Sequence, residues 1–391
     1  MKRYEEYTSL ICSKIQTYQG ELAALSDQIA DHPELSGQEY QTSRTIVELL
    51  RRHGWQVEYP FAGLDTSFRA VRGENRRSRR AALLAEYDAL PEIGHACGHC
   101  LSGSITILAA LALAELQDQL DTDIHIVGTP TEETDGAKCG MVEQGVFDGY
   151  DMAIMVHLYN SNLIAPKLQG LASYLYRFHG RAAHASAAPW EGANAFNAAQ
   201  LMFHAVDMLR QHSRPDAQFH GIIRHGGEAP NIVPEEVTAE FYIRALDKHY
   251  LQELVDKVDD CARGAAIATQ TTWDKVATAA VYDNLKPNPA GAAALKEVYA
   301  ELGLPLNGDP DKLFGSSDMG NVSFACPGFH PCLQLVDPEV AIHTREFAAA
   351  VKTPRGHQAL ADGAKIIAFT VAKLFGDEAR FQAMKADFQN H

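Results

Sequence analysis

The chain has 391 residues, of which 46% are hydrophobic and 21% charged, and its formal net charge at pH 7 is −16. This length allows a substantial core and predicts two domains. The acidic balance argues against a phosphate-binding surface for nucleic acid, because the one basic cluster, Arg76 to Arg80, is short and typical of a solvated loop tip. No stretch of 18 or more apolar residues occurs, so the sequence predicts no membrane-spanning helix.

The first part of the chain predicts helices that alternate with short strands. Two amphipathic helices are predicted, at residues 4–30 and 38–54, and the turn-rich sequence HPELSGQE separates them. Apolar runs typical of buried strands follow at residues 81–85, 124–127 and 152–156, with a helical pattern at residues 101–116. Strands that alternate with helices predict an α/β domain, in which helices cover the faces of a mostly parallel sheet.

A different pattern begins near residue 168. Three segments alternate with a period of two, as half-buried strands do, at residues 174–179, 219–225 and 237–245, and helical patterns occupy residues 192–212 and 248–268. Two helices on an antiparallel sheet predict a separate α+β domain. The α/β pattern then resumes and ends in a long helix near residues 355–375. We therefore predict a catalytic domain formed by residues 1–167 and 278–391, with an inserted domain at residues 168–277.

The cysteine content predicts a reducing compartment. The chain has seven cysteines spread widely along it, an odd number that does not suit a disulfide framework. The first residues, MKRYEEYTSLICSK, lack the apolar stretch of a secretory signal peptide. We therefore expect a cytoplasmic protein.

Polar side chains follow three of the predicted strands at the same end. Asp88 follows the first strand, Glu132 and Glu133 follow the second, and His157 follows the third. In an open α/β sheet the site lies beyond the carboxyl ends of the strands, so we expect these side chains to converge. The sequence GHACGHC, shortly after Asp88, adds thiol and imidazole groups. Because zinc and manganese take thiolate, imidazole and carboxylate ligands, the sequence predicts a metal site here.

Each of these residues also has an ordinary explanation by itself. A histidine at the end of a strand is often exposed, adjacent glutamates are often solvated at the start of a helix, and Asp88 can be a turn residue. Cys97 and Cys100 have the spacing of a thiol–disulfide pair, which predicts an oxidoreductase instead, although Ala96 stands where such motifs carry Trp. A metal-binding relative without catalytic activity is the third alternative.

Several motifs occur in the order found in one family of metallopeptidases. They span nearly the whole chain and are HPELSGQE, AEYDALPEIGHACGH, GTPTEETDGAKCG, GRAAHASAAPWEGANA, GGEAPNIVP, FGSSDMGNVS and IHTREF. The chain thereby resembles the family of aminoacylase, glutamate carboxypeptidase and succinyl-diaminopimelate desuccinylase. Within it, the chain is similar to the amidohydrolase branch of aminobenzoyl-glutamate hydrolase, auxin-conjugate hydrolases and Xaa-Arg dipeptidase. The resemblance implies hydrolysis of the amide bond in an N-acyl amino acid or dipeptide with a free carboxylate.

The resemblance also implies which residues carry this reaction. Two divalent ions per subunit, zinc or manganese with cobalt or nickel as substitutes in vitro, are implied to be bound by Cys97, His99, Glu133, His157 and His343. Glu132 matches the general base, which takes a proton from the attacking water, and Asp88 matches the carboxylate that orients a ligand or this water. The chain departs from the branch at two positions, where Cys100 replaces Asp or Asn and Thr131 replaces Ala.

The inserted domain is implied to complete the site. His184, in GRAAHAS, matches a donor that stabilises the oxyanion. Asn231 and Arg244 match positions that bind the α-carboxylate of the substrate, a task that suits Arg because its planar group donates two hydrogen bonds. The family dimerises through this domain, so we expect a homodimer in which His184 reaches the cleft of the partner subunit. We expect no nucleic-acid or membrane partner.

Overall fold

The computed structural model describes residues 2–73 and 76–390, which form two compact units. Unit 1 comprises the chain up to Lys167, Leu285–Phe314 and the chain from Asp318 onward, and unit 2 comprises Leu168–Asn284 and Gly315–Ser317. Unit 2 extends beyond residue 277, the predicted end of the inserted domain, because the backbones of Leu171 and Tyr282 exchange two hydrogen bonds of 2.9 Å.

Each segment predicted as a helix or a strand overlaps one of the observed elements. The helices of the described residues are α1 (Lys2–Asp31), α2 (Tyr40–Arg52), α3 (His99–Leu113), α4 (Gln117–Leu120), α5 (Ala137–Glu143), α6 (Ala195–Arg210), α7 (Lys248–Thr269), α8 (Pro289–Glu301), α9 (Met319–Ala325), α10 (Arg345–Ala350), α11 (Pro354–Phe375) and α12 (Glu378–Asn390). Their strands are β1 (Gln56–Glu58), β2 (Phe68–Val71), β3 (Arg79–Ala85), β4 (Thr122–Gly128), β5 (Met152–Ile154), β6 (His157–Tyr159), β7 (Lys167–Leu168), β8 (Gly170–His179), β9 (Gln218–His225), β10 (Glu236–Ala245), β11 (Thr272–Ala277), β12 (Leu313–Phe314), β13 (Gly328–Phe329) and β14 (Cys332–Gln334).

The main sheet of unit 1 has six strands in the order β1-β2-β4-β3-β5-β13. β3 is parallel to β4 and β5, and β5 is parallel to β13, while β1 and β2 form an antiparallel edge. Along β3, Leu83 and Ala85 pack in the cluster that contains α3, and Ala82 and Leu84 pack in the cluster that contains Met141 of α5. Helices therefore cover both faces of a mostly parallel sheet, which confirms the predicted fold class for this unit.

α3 is the central helix of unit 1. Every residue from His99 to Leu113 is buried, as expected of a helix that is apolar on all sides. Gly103 permits a close approach to the sheet, because a Cβ atom at this position would lie 2.4 Å from the carbonyl oxygen of Glu86. The start of α3 therefore lies against the carboxyl end of β3.

Unit 2 contains a four-stranded antiparallel sheet in the order β11-β8-β10-β9, with α6 and α7 packed on one face. Phe241 and Ile243 of β10 enter the core with Tyr176 and Leu254, while the intervening Tyr242 is exposed. This alternation confirms the α+β arrangement predicted for the inserted domain. No helix among the described residues combines the length and the apolar character needed to cross a bilayer.

Candidate metal centre

The structure brings the five residues predicted as metal ligands into one cluster in unit 1. Ligand atoms of Cys97, His99 and His157 lie within 4.8 Å of one another, and so do those of Cys97, Glu133 and His343. Four parts of the chain meet here: the start of α3, the loop after β4, the start of β6 and the segment before α10. Cys97 is therefore shared by two groups of candidate ligands.

The candidate ligand atoms of this cluster face one another at short distances. Glu133 Oε1 lies 4.0 Å from His99 Nε2 and 3.7 Å from His343 Nε2, while Cys97 Sγ lies 3.2 Å from His157 Nε2. Within the described part of the chain, neither His99 Nε2 nor Glu133 Oε1 has a hydrogen-bond partner. Buried polar atoms normally have partners, and a donor set of sulfur, nitrogen and oxygen fits divalent metal ions.

Hydrogen bonds on the far side of the imidazole rings orient two of these residues. His99 Nδ1 donates to Asp88 Oδ1 at 2.9 Å, and His157 Nδ1 donates to the carbonyl oxygen of the next residue at 2.8 Å. Each ring therefore directs Nε2 at the cluster, as a metal ligand requires. Asp88 Oδ2 also accepts from the backbone N–H of Glu133 at 3.0 Å and from Ser36 Oγ at 2.7 Å.

Glu132 lies beside the cluster. Its carboxylate, His99 and Glu133 form a further group whose ligand atoms lie within 4.8 Å of one another. Burial raises the pKa of Glu132, and the neighbouring carboxylates of Glu86, Asp318 and Glu133 raise it further. A carboxylate in such surroundings has the increased proton affinity that suits general-base catalysis.

A buried ion-pair cluster that the sequence analysis did not predict adjoins Glu132. Lys138 Nζ donates to Glu86 Oε1 at 2.6 Å and to Asp318 Oδ1 at 2.7 Å, and all three side chains are 0% exposed. Ligand atoms of Glu86, Glu132 and Asp318 lie within 4.8 Å of one another. The sequence offered little indication of this cluster. Lys138 lies in the motif GTPTEETDGAKCG, but its position in a motif does not show whether a lysine is buried or exposed.

His330 is a second residue that was not predicted from the sequence, and its ring packs against the ring of His157. The two rings are stacked, with centroids 5.2 Å apart. His330 is buried, and neither of its ring nitrogens has a hydrogen-bond partner among the described residues. Burial lowers the pKa of His330 to about 4, so the ring is neutral at pH 7. His330 lies between two very short strands, β13 and β14, where no periodic pattern marks a site.

The three residues predicted to contact the substrate lie in unit 2. His184 Nδ1 accepts two backbone hydrogen bonds of 3.3 Å from the turn that follows it, so the ring proton is on Nε2. The carbonyl oxygen of Asn231 accepts from the backbone N–H of the residue after His184 at 3.0 Å, which joins these two segments. Arg244 Nη1 donates to Ser316 Oγ at 2.7 Å.

The cysteine pair considered as a redox motif has different properties. Cys100 is fully buried at the start of α3, and burial raises the pKa of its thiol to about 12, so this thiol stays protonated. Cys97 belongs to two of the groups of candidate metal ligands. The oxidoreductase alternative therefore has no support.

Comparisons with known proteins show which proteins this chain is similar to. Residues 167–269 match the sequence profile of the peptidase dimerisation domain. The chain is 34% identical over 386 residues to the Xaa-Arg dipeptidase of Mus musculus, across 94% of this chain and 89% of that protein. It is 28% identical over 448 residues to one of the subunits of p-aminobenzoyl-glutamate hydrolase from Escherichia coli (strain K12), across 93% of this chain and 91% of that protein. A dinuclear metal-binding peptidase of the M20 family from Bacillus subtilis has the same fold, with a TM-score of 0.72 and 17% identity, over 92% of this chain and 99% of that chain.

Proposed function

This chain belongs to the M20 peptidase family and is a metal-dependent amide hydrolase, and we propose that it cleaves dipeptides or N-acyl amino acids with a free carboxylate. The observation that carries the proposal is the position of Cys97, whose sulfur is shared by two groups of ligand atoms. A dipeptide with a basic carboxyl-terminal residue is the first candidate substrate, because the relative with 34% identity is named for dipeptides that end in arginine.

The proposed cofactor is a pair of divalent ions in each subunit, zinc or manganese, with cobalt or nickel as substitutes in vitro. The proposed ligands are Cys97, His99, Glu133, His157 and His343. The unpartnered His99 Nε2 and Glu133 Oε1 support this assignment, because a bound cation would satisfy both. When bound, the ions supply the positive charge that polarises the substrate carbonyl and lowers the pKa of the attacking water.

Glu132 is the proposed general base. It takes a proton from the attacking water and delivers it to the nitrogen of the leaving amine. The backbone N–H of the next residue, Glu133, donates to Asp88 at 3.0 Å, so the two glutamates are held on a fixed segment of chain. Asp88 also orients the ring of His99 through the 2.9 Å hydrogen bond to Nδ1.

The inserted domain is proposed to bind the substrate and to form the dimer. The proton on His184 Nε2 supports a role as donor to the oxyanion, and the guanidinium group of Arg244, with Asn231, suits the substrate carboxylate. The match of residues 167–269 to a peptidase dimerisation domain supports a homodimer. We propose that His184 acts in the site of the partner subunit.

The proposed compartment is the cytoplasm. No disulfide joins two cysteines in the described part of the chain, which suits a reducing environment. We propose no nucleic-acid partner, because a net charge of −16 repels phosphate.

A substrate panel tests the proposal. Metal-free protein is loaded with zinc, manganese or cobalt and given dipeptides that end in Lys or Arg, other dipeptides, and N-acyl amino acids. Each substrate is paired with a control whose terminal carboxylate is replaced by an amide. We expect turnover with at least one metal, the highest kcat/KM for the basic dipeptides, and a loss of turnover in the amide controls. No turnover with any metal would favour the non-catalytic alternative.

A further inference from the structure

The segment HPELSGQE between α1 and α2 has no part in the proposed function, although it touches two loops of the metal centre. Ser36 Oγ donates to Asp88 Oδ2 at 2.7 Å. The carboxylate of Glu39 accepts from the backbone N–H of Thr131 at 3.1 Å. This one segment therefore contacts both the loop after β3 and the loop after β4.

Thr131 has a backbone conformation that is unfavourable for its residue type. Its φ is +57°, in the left-handed region, where a β-branched side chain is crowded against its own backbone. Glu132 and Glu133 follow directly, so this angle sets the direction in which the chain carries both carboxylates. Such a conformation persists only where surrounding contacts hold it. The backbone of Thr131 has two of them, since its N–H donates to Glu39 and its carbonyl accepts from Gly136 at 2.9 Å.

The carboxylate of Glu39 is fully buried and satisfied by three donors. Oε1 accepts from the N–H of Thr131 and from the N–H of Gly37 at 2.8 Å, and Oε2 accepts from Thr66 Oγ1 at 2.9 Å. The turn also lies close to the side chain of Thr131, since a Cβ atom added to Gly37 would meet Thr131 Cγ2 at 3.7 Å. One buried carboxylate thus joins three segments that are distant in the sequence.

We infer that Glu39 is a positioning residue for the general base. Its hydrogen bond to the N–H of Thr131 keeps the backbone of Thr131 in the left-handed conformation, and this conformation fixes the position from which the side chain of Glu132 extends. The inference rests on the proposed function, because it assigns Glu39 a part in that reaction without contact with the substrate. Its physical basis is that a displacement of about 1 Å at a reacting group lowers the rate by about 100-fold.

Glu34 provides a matched control in the same segment. Its carboxylate also accepts backbone hydrogen bonds, from Gln41 at 3.0 Å and from Thr42 at 2.7 Å, at the start of α2. These bonds stabilise a helix and do not involve Thr131. If Glu39→Ala lowered activity only by destabilising the segment between α1 and α2, Glu34→Ala would therefore lower activity as much.

The first experiment compares three variants with the wild type as metal-loaded enzymes, by kcat, KM, metal content and thermal unfolding. For Glu39→Ala we expect kcat to fall about 10- to 100-fold, with KM changed less than about threefold. Glu39→Gln keeps kcat within about threefold, because its amide oxygen accepts from the same two N–H groups and the hydroxyl of Thr66 can accept from its NH₂. Glu34→Ala lowers the Tm but keeps kcat within about threefold.

A second substitution tests the backbone argument directly. Glycine adopts a positive φ without steric cost, so Thr131→Gly removes the strain that Glu39 offsets. In the wild-type background we expect Thr131→Gly to change kcat less than about threefold. In the Glu39→Ala background it restores kcat by at least about fivefold, because the two substitutions act on one interaction. Additive losses in the double variant would overturn the inference.

Other outcomes also decide the question. Wild-type kcat in Glu39→Ala, or an equal loss in Glu34→Ala, overturns the inference. If Glu39→Ala does not fold, Glu39→Asp replaces it with the same expectations, since the shorter side chain keeps the charge but withdraws the carboxylate. Glu132→Gln is assayed alongside. An inactive Glu132→Gln with an unaffected Glu39→Ala removes only the role of Glu39. Wild-type turnover in Glu132→Gln rules out Glu132 as the general base, and no turnover in the wild-type enzyme with any metal overturns the proposed function itself.

Discussion

Lys138 Nζ lies 2.6 Å from Glu86 Oε1 in a part of unit 1 that solvent does not reach. Burial opposes the charge on Lys138, but Asp318 and Glu86 outweigh it and raise the pKa of the ammonium group above its usual range. The lysine therefore stays charged and compensates two buried carboxylates next to the proposed general base.

Lys138→Met would leave Glu86 and Asp318 buried without a cation. Removing one member of a buried ion pair costs about 3–5 kcal/mol, so we expect the free energy of unfolding in urea to fall by that amount. The matched control is Lys385→Met, because Lys385 pairs with Asp151 at 2.7 Å in a partly exposed position, where such a pair contributes about 0–1 kcal/mol. Equal losses in the two variants would contradict this argument.

Glu132→Gln keeps the shape of the side chain but removes the proton acceptor. We expect kcat to fall about 10²- to 10⁴-fold while both ions remain bound. Glu133→Gln is expected to lower the metal content as well as turnover, because this residue is a proposed ligand. Steady-state kinetics and metal analysis after dialysis separate the two effects. Wild-type turnover in Glu132→Gln would rule it out as the base.

Cys97→Ala removes the atom shared by two groups of candidate ligands. We expect the affinity for both ions to fall by at least about tenfold. His157→Ala and His343→Ala are each expected to lower the affinity for one of the two ions. Each histidine belongs to only one of the two ligand groups that contain Cys97. Calorimetric titration of metal-free protein with zinc measures the two binding steps. One unchanged step in Cys97→Ala would show that the sulfur does not bridge the ions.

His184→Ala and Glu132→Gln, each inactive alone, test the sharing of sites between subunits. After exchange, a mixed dimer has one site with Glu132 from one chain and His184 from the other. If His184 acts in the partner's site, a statistical mixture regains about a quarter of the wild-type turnover. Subunit exchange is verified with differently tagged chains. Exchange without recovered turnover would show that His184 acts in its own subunit.

Strands that contain a run of apolar residues could be predicted from the sequence. Short strands that form only because they pair with a neighbouring strand could not. The run at residues 81–85 corresponds to the buried β3, but β2 and β14 have no comparable pattern. The predicted strand at residues 152–156 ends at Ile154, because His157 begins β6 and pairs in parallel with Cys332. Short strands lack the residues to show a period, so pairing decides where they form.

The sequence by itself determined which donor groups the candidate site contains, because the types and spacings of Cys97, His99 and the glutamate pair can be read along the chain. Only the tertiary structure decided which other groups surround them. Lys138 pairs with Asp318 across 180 positions of sequence, and the carboxylate of Glu39 reaches the Thr131 backbone across 92. Local patterns encode helices, strands and turns, but burial and the pairing of charges depend on residues that meet only when the chain has folded.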